Sequence, residues 1–221
     1  MSKLILIRHG HTRLNLPGEN ERLRAWLDIP LDEQGLQEAK DTAAAVASQG
    51  IKTIYSSDLT RAIQTATAIS LATCAPLIPI PELRPWNLGS FAGQLIKEVV
   101  PFLDLLNERS DIPAPGGESW NQFYVRYSRR LLSLMELAVS SGRTIAAVTH
   151  VRNFLSAPTI IEAGDKSRVP VKGGPRTGSI YLIEKVGGKW RLRAGQPDPT
   201  RPLVEEFPAI PAAFETAPVL A

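Results

Sequence analysis

Two of the three histidines in the sequence stand directly after short apolar runs. His9 comes two residues after the run Leu4–Ile7, and His150 comes two residues after the run Arg143–Val148. Runs of this length are typical of buried strands, and in open α/β sheets ligands bind beyond the carboxyl ends of the strands. We therefore expect both imidazoles at the same edge of a sheet, where a ligand binds.

Two arginines accompany these histidines. Arg8 precedes His9, and Arg61 lies in the first turn of a helix predicted from about Thr60 to Thr73. A guanidinium group stays charged at working pH and matches phosphate oxygens bidentately, and a helix N-terminus favours anions. A neutral imidazole is a competent nucleophile towards phosphorus, and a second one stabilises the oxygens being transferred. These residue types predict a phosphate pocket with a histidine nucleophile.

Neither a metal nor another cofactor is expected. No Asp or Glu lies at a ligand spacing from His9 or His11. The single cysteine, Cys74, excludes a disulfide framework and a cysteine-based zinc site, and it fits a reducing compartment. We therefore expect a cytoplasmic protein.

Length and composition predict the domain organisation of the chain. With 221 residues, 43% apolar and 21% charged, the chain is typical of one globular domain, which we place at residues 1–195. The segment 196–221 is rich in proline and is predicted to be a C-terminal tail.

The longest uncharged stretch, Ala62–Pro81, is too polar to span a membrane. Eight basic residues lie in Lys166–Arg193, but no nucleic-acid-binding motif accompanies them, so a small anion is the expected partner. A homodimer stays open.

Apolar runs and helical periods alternate along the chain, which predicts an α/β fold. We expect a three-layer sandwich with a largely parallel central sheet, helices on both faces and a C-terminal hairpin at the edge. The predicted strands are Lys3–Ile7, Ile51–Tyr55, Leu77–Ile80, Arg143–Val148, Ser179–Val186 and Lys189–Arg193. The predicted helices are Gly35–Gln49, Thr60–Thr73, Leu95–Glu108 and Ser119–Val139. Gly187-Gly188 is the expected hairpin turn, and Ser56-Ser57-Asp58 is the expected N-cap of the second helix.

Four motifs in this order resemble those of the histidine phosphatase superfamily, the group of cofactor-dependent phosphoglycerate mutases and many small phosphatases. They are LILIRHGHTRLN (Leu4–Asn15), SSDLTRAIQTA (Ser56–Ala66), PGGES (Pro115–Ser119) and VTH (Val148–His150). The resemblance implies that His9 forms a phosphohistidine and that Arg8, Arg61 and His150 complete the phosphate pocket. It also implies that Thr12 and Asn15 contact phosphate or substrate, and that His11 is a structural neighbour.

The chain departs from the family pattern at its usual acid. In the segment LRPWNLGSFAG, Pro85 stands where the family places a Glu that protonates the leaving oxygen. Glu82 reaches the pocket if the loop between Pro81 and Pro85 bends inward, and Glu118 is a second candidate. If neither acts, the enzyme should favour leaving groups that need no proton, because a positioned acid contributes about 10²–10⁴-fold.

A second departure follows His150, where the family commonly has a small residue and this chain has Val151-Arg152. Arg152 adds a cation that we expect to bind a second acidic group of the substrate. The predicted function is a metal-independent phosphatase acting on phosphomonoesters of small molecules. A phosphoglycerate mutase and a non-catalytic phosphate-binding protein are the alternatives.

Overall fold

The computed structural model describes residues 2–15, 21–164, 169 and 174–195. Its strands are β1 (Lys3–Arg8), β2 (Ile51–Ser56), β3 (Leu77–Pro79), β4 (Thr144–Thr149), β5 (Ile180–Val186) and β6 (Lys189–Gly195). Its α-helices are α1 (Glu33–Val46), α2 (Thr60–Thr73), α3 (Ile96–Glu108), α4 (Trp120–Ser141) and α5 (Val151–Ile161). The predicted tail, 196–221, lies outside the described residues.

The strands form one six-stranded sheet in the order β3-β2-β4-β1-β5-β6. Strands β3, β2, β4 and β1 run parallel, and β5 and β6 are antiparallel additions at one edge. Because β1 and β4 are adjacent and parallel, they bring His9 and His150 to the same edge of the sheet. The α/β fold with a mostly parallel sheet is thus confirmed.

Alternation of side chains along β1 creates two cores. Leu4 and Leu6 belong to the cluster that packs with α3, α4 and α5, whereas Ile5 and Ile7 belong to the cluster that packs with α1 and α2. All four are fully buried. Successive side chains of a strand point to opposite faces of the sheet, so a strand covered by helices on both sides must be apolar at every position. This explains the uninterrupted apolar run of β1.

The elements differ from the predictions at several boundaries by one to three residues, and also in one helix and one helix cap. Helix α5 was not predicted, although Val151, Phe154, Leu155 and Pro158 recur at helical spacing. The N-cap of α2 is Leu59, without a side-chain hydrogen bond, so the predicted cap at 56–58 is wrong. Instead, Asp28 Oδ1 accepts a hydrogen bond from the Thr60 backbone N–H at 2.7 Å. Strand β6 runs two residues further than predicted, to Gly195.

The turn between β5 and β6 is the expected one. Gly187 and Gly188 both have positive φ, at 57° and 79°. A two-residue turn with positive φ at both positions matches the twist of a hairpin. Among the described residues, no helix has the length and apolar character needed to cross a bilayer.

Candidate active site

His9 lies just beyond the end of β1, and its exposed fraction is only 2%. Its Nδ1 is 2.7 Å from the Gly10 carbonyl oxygen. A carbonyl oxygen only accepts hydrogen bonds, so Nδ1 carries the proton and the lone pair is on Nε2. Burial, and then the charges of Arg61 and Arg8, hold the pKa of His9 well below its ordinary value. The ring is therefore neutral at pH 7, with a nucleophilic nitrogen available.

The loop that carries His9 is fixed by two glycines. A Cβ atom built on Gly10 would lie 2.5 Å from the Gly35 carbonyl oxygen, and one built on Gly35 would lie 2.0 Å from the His11 carbonyl oxygen. Real side chains do not approach a backbone oxygen so closely, and both positions therefore require glycine. This close approach clamps the loop after β1 onto the first turn of α1.

Arg61, in the first turn of α2, is fully buried. Its Nη1 donates to the Leu27 carbonyl at 2.6 Å and its Nη2 to the Ala25 carbonyl at 2.8 Å. Its Nε donates a hydrogen bond to the lone pair on Nε2 of His9 at 3.3 Å. Burial, followed by the nearby charge of Arg24, lowers the pKa of Arg61 to about 9. The guanidinium is thus anchored from behind and faces the nucleophilic nitrogen.

His150 lies at the end of β4 and at the N-cap of α5. Its ring centroid is 5.0 Å from that of His9, and the two rings are inclined at 62°. Nε2 is 2.8 Å from the Ser57 hydroxyl, whereas the buried Nδ1 has no hydrogen-bond partner. Burial, and then Arg61, lowers the pKa of His150. A buried polar nitrogen without a partner, next to a helix N-terminus, fits a site that receives an oxygen atom of a ligand.

The two histidines open into a cavity of about 70 Å³. Since one water needs about 10–15 Å³ by such a measure, the cavity has room for a group of phosphoryl size. Its lining is cationic or apolar, without a carboxylate among the described residues: His9, Leu23, Arg24, Ala25, Arg61, Pro85, Trp86, Leu88, His150, Val151 and Arg152. Arg24 was not predicted as a site residue, because it lies in an irregular segment with no periodic signal. Ser57 was predicted as part of a helix cap, whereas its hydroxyl contacts His150.

Arg8 is buried but is not among the residues that line this cavity. Its exposed fraction is 7%, and its Nη1 donates a hydrogen bond to the Pro175 carbonyl. Its buried Nε has no partner. Burial, and then the charge of Arg24, lowers the pKa of Arg8 to about 10. Its charge reaches both imidazoles and lowers the pKa of each.

Glu82 does not reach the cavity, which corrects the expectation that its loop bends inward. It lies in a short 3₁₀ turn at Pro81–Leu83, and its carboxylate pairs with Arg130 at 2.9 Å. Its side chain is 41% exposed. Hydrogen bonding to its own backbone, and then to Arg130, lowers the pKa of Glu82, whereas a general acid needs a pKa near the working pH.

Glu118 bonds to the segment that contains Pro85, Trp86 and Asn87, which forms one wall of the cavity. Its carboxylate pairs with Arg126 at 2.6 Å and accepts a hydrogen bond from the Asn87 backbone N–H at 2.9 Å. Its backbone carbonyl accepts from Trp86 Nε1 at 2.9 Å. Arg126 also donates to the Pro85 carbonyl at 3.1 Å. These bonds fix the backbone from Pro85 to Asn87 and leave Glu118 outside the cavity.

Thr12 and Asn15 bond to each other instead of lining the cavity. The backbone N–H and the hydroxyl of Thr12 both donate to Asn15 Oδ1, at 3.0 and 2.9 Å. His11 Nδ1 lies 2.6 Å from Asp32 Oδ2, and its Nε2 lies 2.9 Å from the Asn15 carbonyl oxygen. Because Asp32 also caps α1, His11 joins that helix to the turn at residues 12–15, as expected of a structural neighbour.

Arg152 lines the cavity from the first turn of α5. Its guanidinium carbon lies 5.8 Å from the centroid of Trp120. Burial lowers the pKa of Arg152 to about 10, and the charge of Asp104 partly opposes this shift. The described residues contain no group of three or more His, Cys, Asp or Glu side chains placed to hold a metal ion.

A match to a known family agrees with this geometry. The sequence pattern of the histidine phosphatase superfamily (branch 1) covers residues 4–195, and the chain belongs to that superfamily. Members are phosphatases or mutases, so the family supports a phosphoryl-transfer enzyme.

The chain is similar to a relative named as a mutase and to solved structures of phosphatases. It is 33% identical over 205 residues to the probable phosphoglycerate mutase GpmB of Yersinia pestis, covering 85% of this chain and 93% of the relative. A mycobacterial glucosyl-3-phosphoglycerate phosphatase complexed with VO3 has a TM-score of 0.74 and 25% identity, covering 90% and 100% of the two chains. The phosphoserine phosphatase of Entamoeba histolytica, in complex with 3-phosphoglyceric acid, has a TM-score of 0.73 and 25% identity over 87% and 95%.

Proposed function

We propose that the protein is a metal-independent phosphatase that hydrolyses phosphomonoesters of small molecules through a phosphohistidine at His9. The observation that carries the proposal is the orientation of the His9 ring. Its Nδ1 is held by the Gly10 carbonyl, so its Nε2 is unprotonated and directed at Arg61 Nε, 3.3 Å away. A nucleophile beside an anchored cation is what attack on a phosphate dianion requires.

In the first step, His9 Nε2 forms a bond to phosphorus, and the bond between phosphorus and the leaving oxygen breaks with its electron pair on that oxygen. Arg61 and the unpartnered Nδ1 of His150 contact the phosphoryl oxygens, and the charge of Arg8, which lies outside the cavity lining, favours the anion from further away. In the second step, water attacks phosphorus, the P–N bond breaks, and its electron pair returns to His9. Inorganic phosphate then leaves and the free enzyme is restored.

We propose further that the enzyme favours good leaving groups. Pro85 lines the cavity where the family usually has its acid, and Glu82 and Glu118 are both paired with arginines outside it. The leaving oxygen therefore departs as an anion. A positioned acid is worth about 10²–10⁴-fold for poor leaving groups, so its loss penalises alkyl phosphates much more than aryl phosphates.

Arg152 supports a substrate with a second anionic group. Arg152 is one of the residues that line the same cavity as His9. We expect Arg152→Ala to raise KM for a substrate with two acidic groups more than for a simple aryl phosphate. Equal effects on both substrates would remove this role.

The test is hydrolysis of para-nitrophenyl phosphate by wild type and His9→Ala, with a chelator present. Wild type should turn over and His9→Ala should not, and labelled phosphate should be trapped on wild type alone. His11→Ala is the matched control, because that ring is held by Asp32 and Asn15 outside the cavity lining. Equal rates in wild type and His9→Ala, or loss of activity with the chelator, would refute the mechanism.

A phosphoglycerate mutase is the second candidate, because a 33%-identical relative is a probable enzyme of that kind. A mutase must return the phosphoryl group from histidine to a bound hydroxyl instead of to water. Bisphosphoglycerate should then stimulate turnover of monophosphoglycerate. No stimulation, together with release of inorganic phosphate, would favour the phosphatase.

A further inference from the structure

Arg24 is a buried cation to which neither the motifs nor the family resemblance gives a role. Its side chain is only 10% exposed, and it lines the cavity with His9, His150 and Arg61. Its charge lowers the pKa of Arg8 and Arg61, and it contributes to the lowered pKa of both histidines. Arg24 therefore belongs to the group of charges around the nucleophile. The neighbouring charge that acts on Arg152 is Asp104, on α3.

The guanidinium of Arg24 is anchored on its outer side. Nη1 donates to the Leu14 carbonyl at 3.1 Å, and both terminal nitrogens lie 3.2 Å from one carboxylate oxygen of Glu21. The Glu21 side chain is 37% exposed, so the ion pair lies towards solvent. This arrangement holds the guanidinium in place at the cavity.

The segment that carries Arg24 runs beside the wall that carries Pro85. Trp26 Nε1 donates to the Pro85 carbonyl at 2.8 Å. The Leu23 backbone bonds to Gln94 and Gly93, at 2.9 and 2.7 Å. Arg24 lies between Leu23 and Trp26 in sequence, and both of these neighbours are bonded to the segment that contains Pro85. Arg24 and Pro85 therefore line the same side of the cavity.

Placing a third guanidinium in this cluster is unfavourable in the free protein. Burial lowers the pKa of Arg8, Arg24 and Arg61, and the charge of Arg24 lowers the pKa of Arg8 and Arg61 further. Glu21 opposes the shift at Arg24 from the side towards solvent, but no carboxylate of the described part of the chain lines the cavity itself. An arginine whose only role was to bond to Leu14 and Glu21 would not need to lie among the other cations of the cavity. A dianionic ligand, and still more a transition state with charge developing on the leaving oxygen, compensates all three cations at once.

We propose that Arg24 is a further catalytic residue, whose guanidinium stabilises the negative charge that develops on the phosphoryl group and the leaving oxygen. The P–O bond breaks with its electron pair on the leaving oxygen. That oxygen departs as an anion paired with Arg24 and takes its proton from water afterwards. This role rests on the proposed phosphatase function, and it implies substrates whose leaving group is stable as an anion.

The experiment compares wild type, Arg24→Ala, Arg24→Lys and Glu21→Gln on a series of aryl phosphates of increasing leaving-group pKa. We expect Arg24→Ala to lower kcat by about 10²–10³-fold, as for loss of one transition-state donor. The loss should grow with leaving-group pKa, and Arg24→Lys should lose less. Added guanidinium ion should restore part of the Arg24→Ala rate. Glu21→Gln, which keeps the cation, should lose much less than Arg24→Ala.

Arg22→Ala is the matched control, since Arg22 is exposed and donates to the Gly93 carbonyl away from the cavity. Thermal unfolding checks that each variant folds. A loss that is equal for all leaving groups and is not rescued by guanidinium would show that Arg24 only supports the loop, and an unchanged rate would also overturn the proposal. If wild type and His9→Ala have equal rates, the phosphatase function itself fails, which is a separate result.

Discussion

Replacing Pro85 by glutamate should add a proton donor to the cavity, whose described lining contains no carboxylate. Pro85 lines the cavity, while its carbonyl is held by Trp26 Nε1 at 2.8 Å and by Arg126 Nη2 at 3.1 Å. Because both hydrogen bonds are made to the backbone carbonyl oxygen, Pro85→Glu changes the side chain and keeps these contacts. The new carboxyl group would lie in the same cavity as His9.

The size of the gain follows from two opposing effects. A positioned acid lowers the barrier for a poor leaving group by about 3–5 kcal/mol, which corresponds to 10²–10⁴-fold. The guanidinium groups of Arg24 and Arg61 favour the ionised carboxylate and reduce the fraction that can donate a proton. A bound phosphate dianion offsets those cations. We therefore expect about 10²-fold for alkyl phosphates at pH 7 and a larger gain near pH 5.5, where more of the carboxyl group is protonated.

The assay is kcat/KM for one alkyl and several aryl phosphates at both pH values, with Pro85→Gln as the control of matched size. The glutamate variant should flatten the dependence of rate on leaving-group pKa, and the glutamine variant should leave it steep. Equal slopes for the two variants would refute the reasoning, as would a flat dependence in the wild type. Thermal unfolding reports any cost of losing proline, which stabilises by about 0.4–1 kcal/mol at compatible positions.

Three further outcomes are expected. Ser57→Ala, which removes the 2.8 Å partner of His150 Nε2, should lower kcat about tenfold, as for one hydrogen bond of about 1–1.5 kcal/mol, with little change in KM. Burial and the nearby arginines lower the pKa of His9, so its neutral form persists as the pH falls through 6.5. The pH profile of kcat/KM, corrected for substrate ionisation, should therefore show no inflection near pH 6.5. Glu118→Gln, which weakens a charged contact behind the cavity wall, should raise KM and lower the free energy of unfolding by about 2–3 kcal/mol in denaturant titrations.

The sequence was most informative where side chains follow the period of a strand. The apolar runs before His9 and His150 predicted two buried strands, and adjacent parallel strands then had to bring both histidines to one sheet edge. The glycine pair at Gly187-Gly188 identified the hairpin in the same way. In these cases the local chemistry of the chain determines the geometry, so no long-range information is needed.

The missed features depend on contacts between segments far apart in sequence. The cap of α2 comes from Asp28, which lies 32 residues before Thr60, and no local pattern reports this contact. Glu82 and Glu118 were plausible acids by position, but Arg130 and Arg126 bind them from α4. Arg24 enters the cavity only because its segment packs beside the wall at Pro85. Sequence spacing cannot show which charges meet across the fold.

The described residues that line the cavity include no carboxylate, and this bears on the choice between phosphatase and mutase. A mutase transfers the phosphoryl group to and from hydroxyl groups, so an alkoxide-like oxygen leaves in one direction and a hydroxyl loses its proton in the other. By microscopic reversibility the same group assists both steps, and without it both directions lose the same factor of about 10²–10⁴. A phosphatase can avoid most of this penalty if its substrate has a leaving group that is stable as an anion. Because the cavity is lined by Arg24, Arg61 and Arg152, with Pro85 where the family usually has its acid, we propose hydrolysis of such a substrate over phosphoryl exchange between two alcohols.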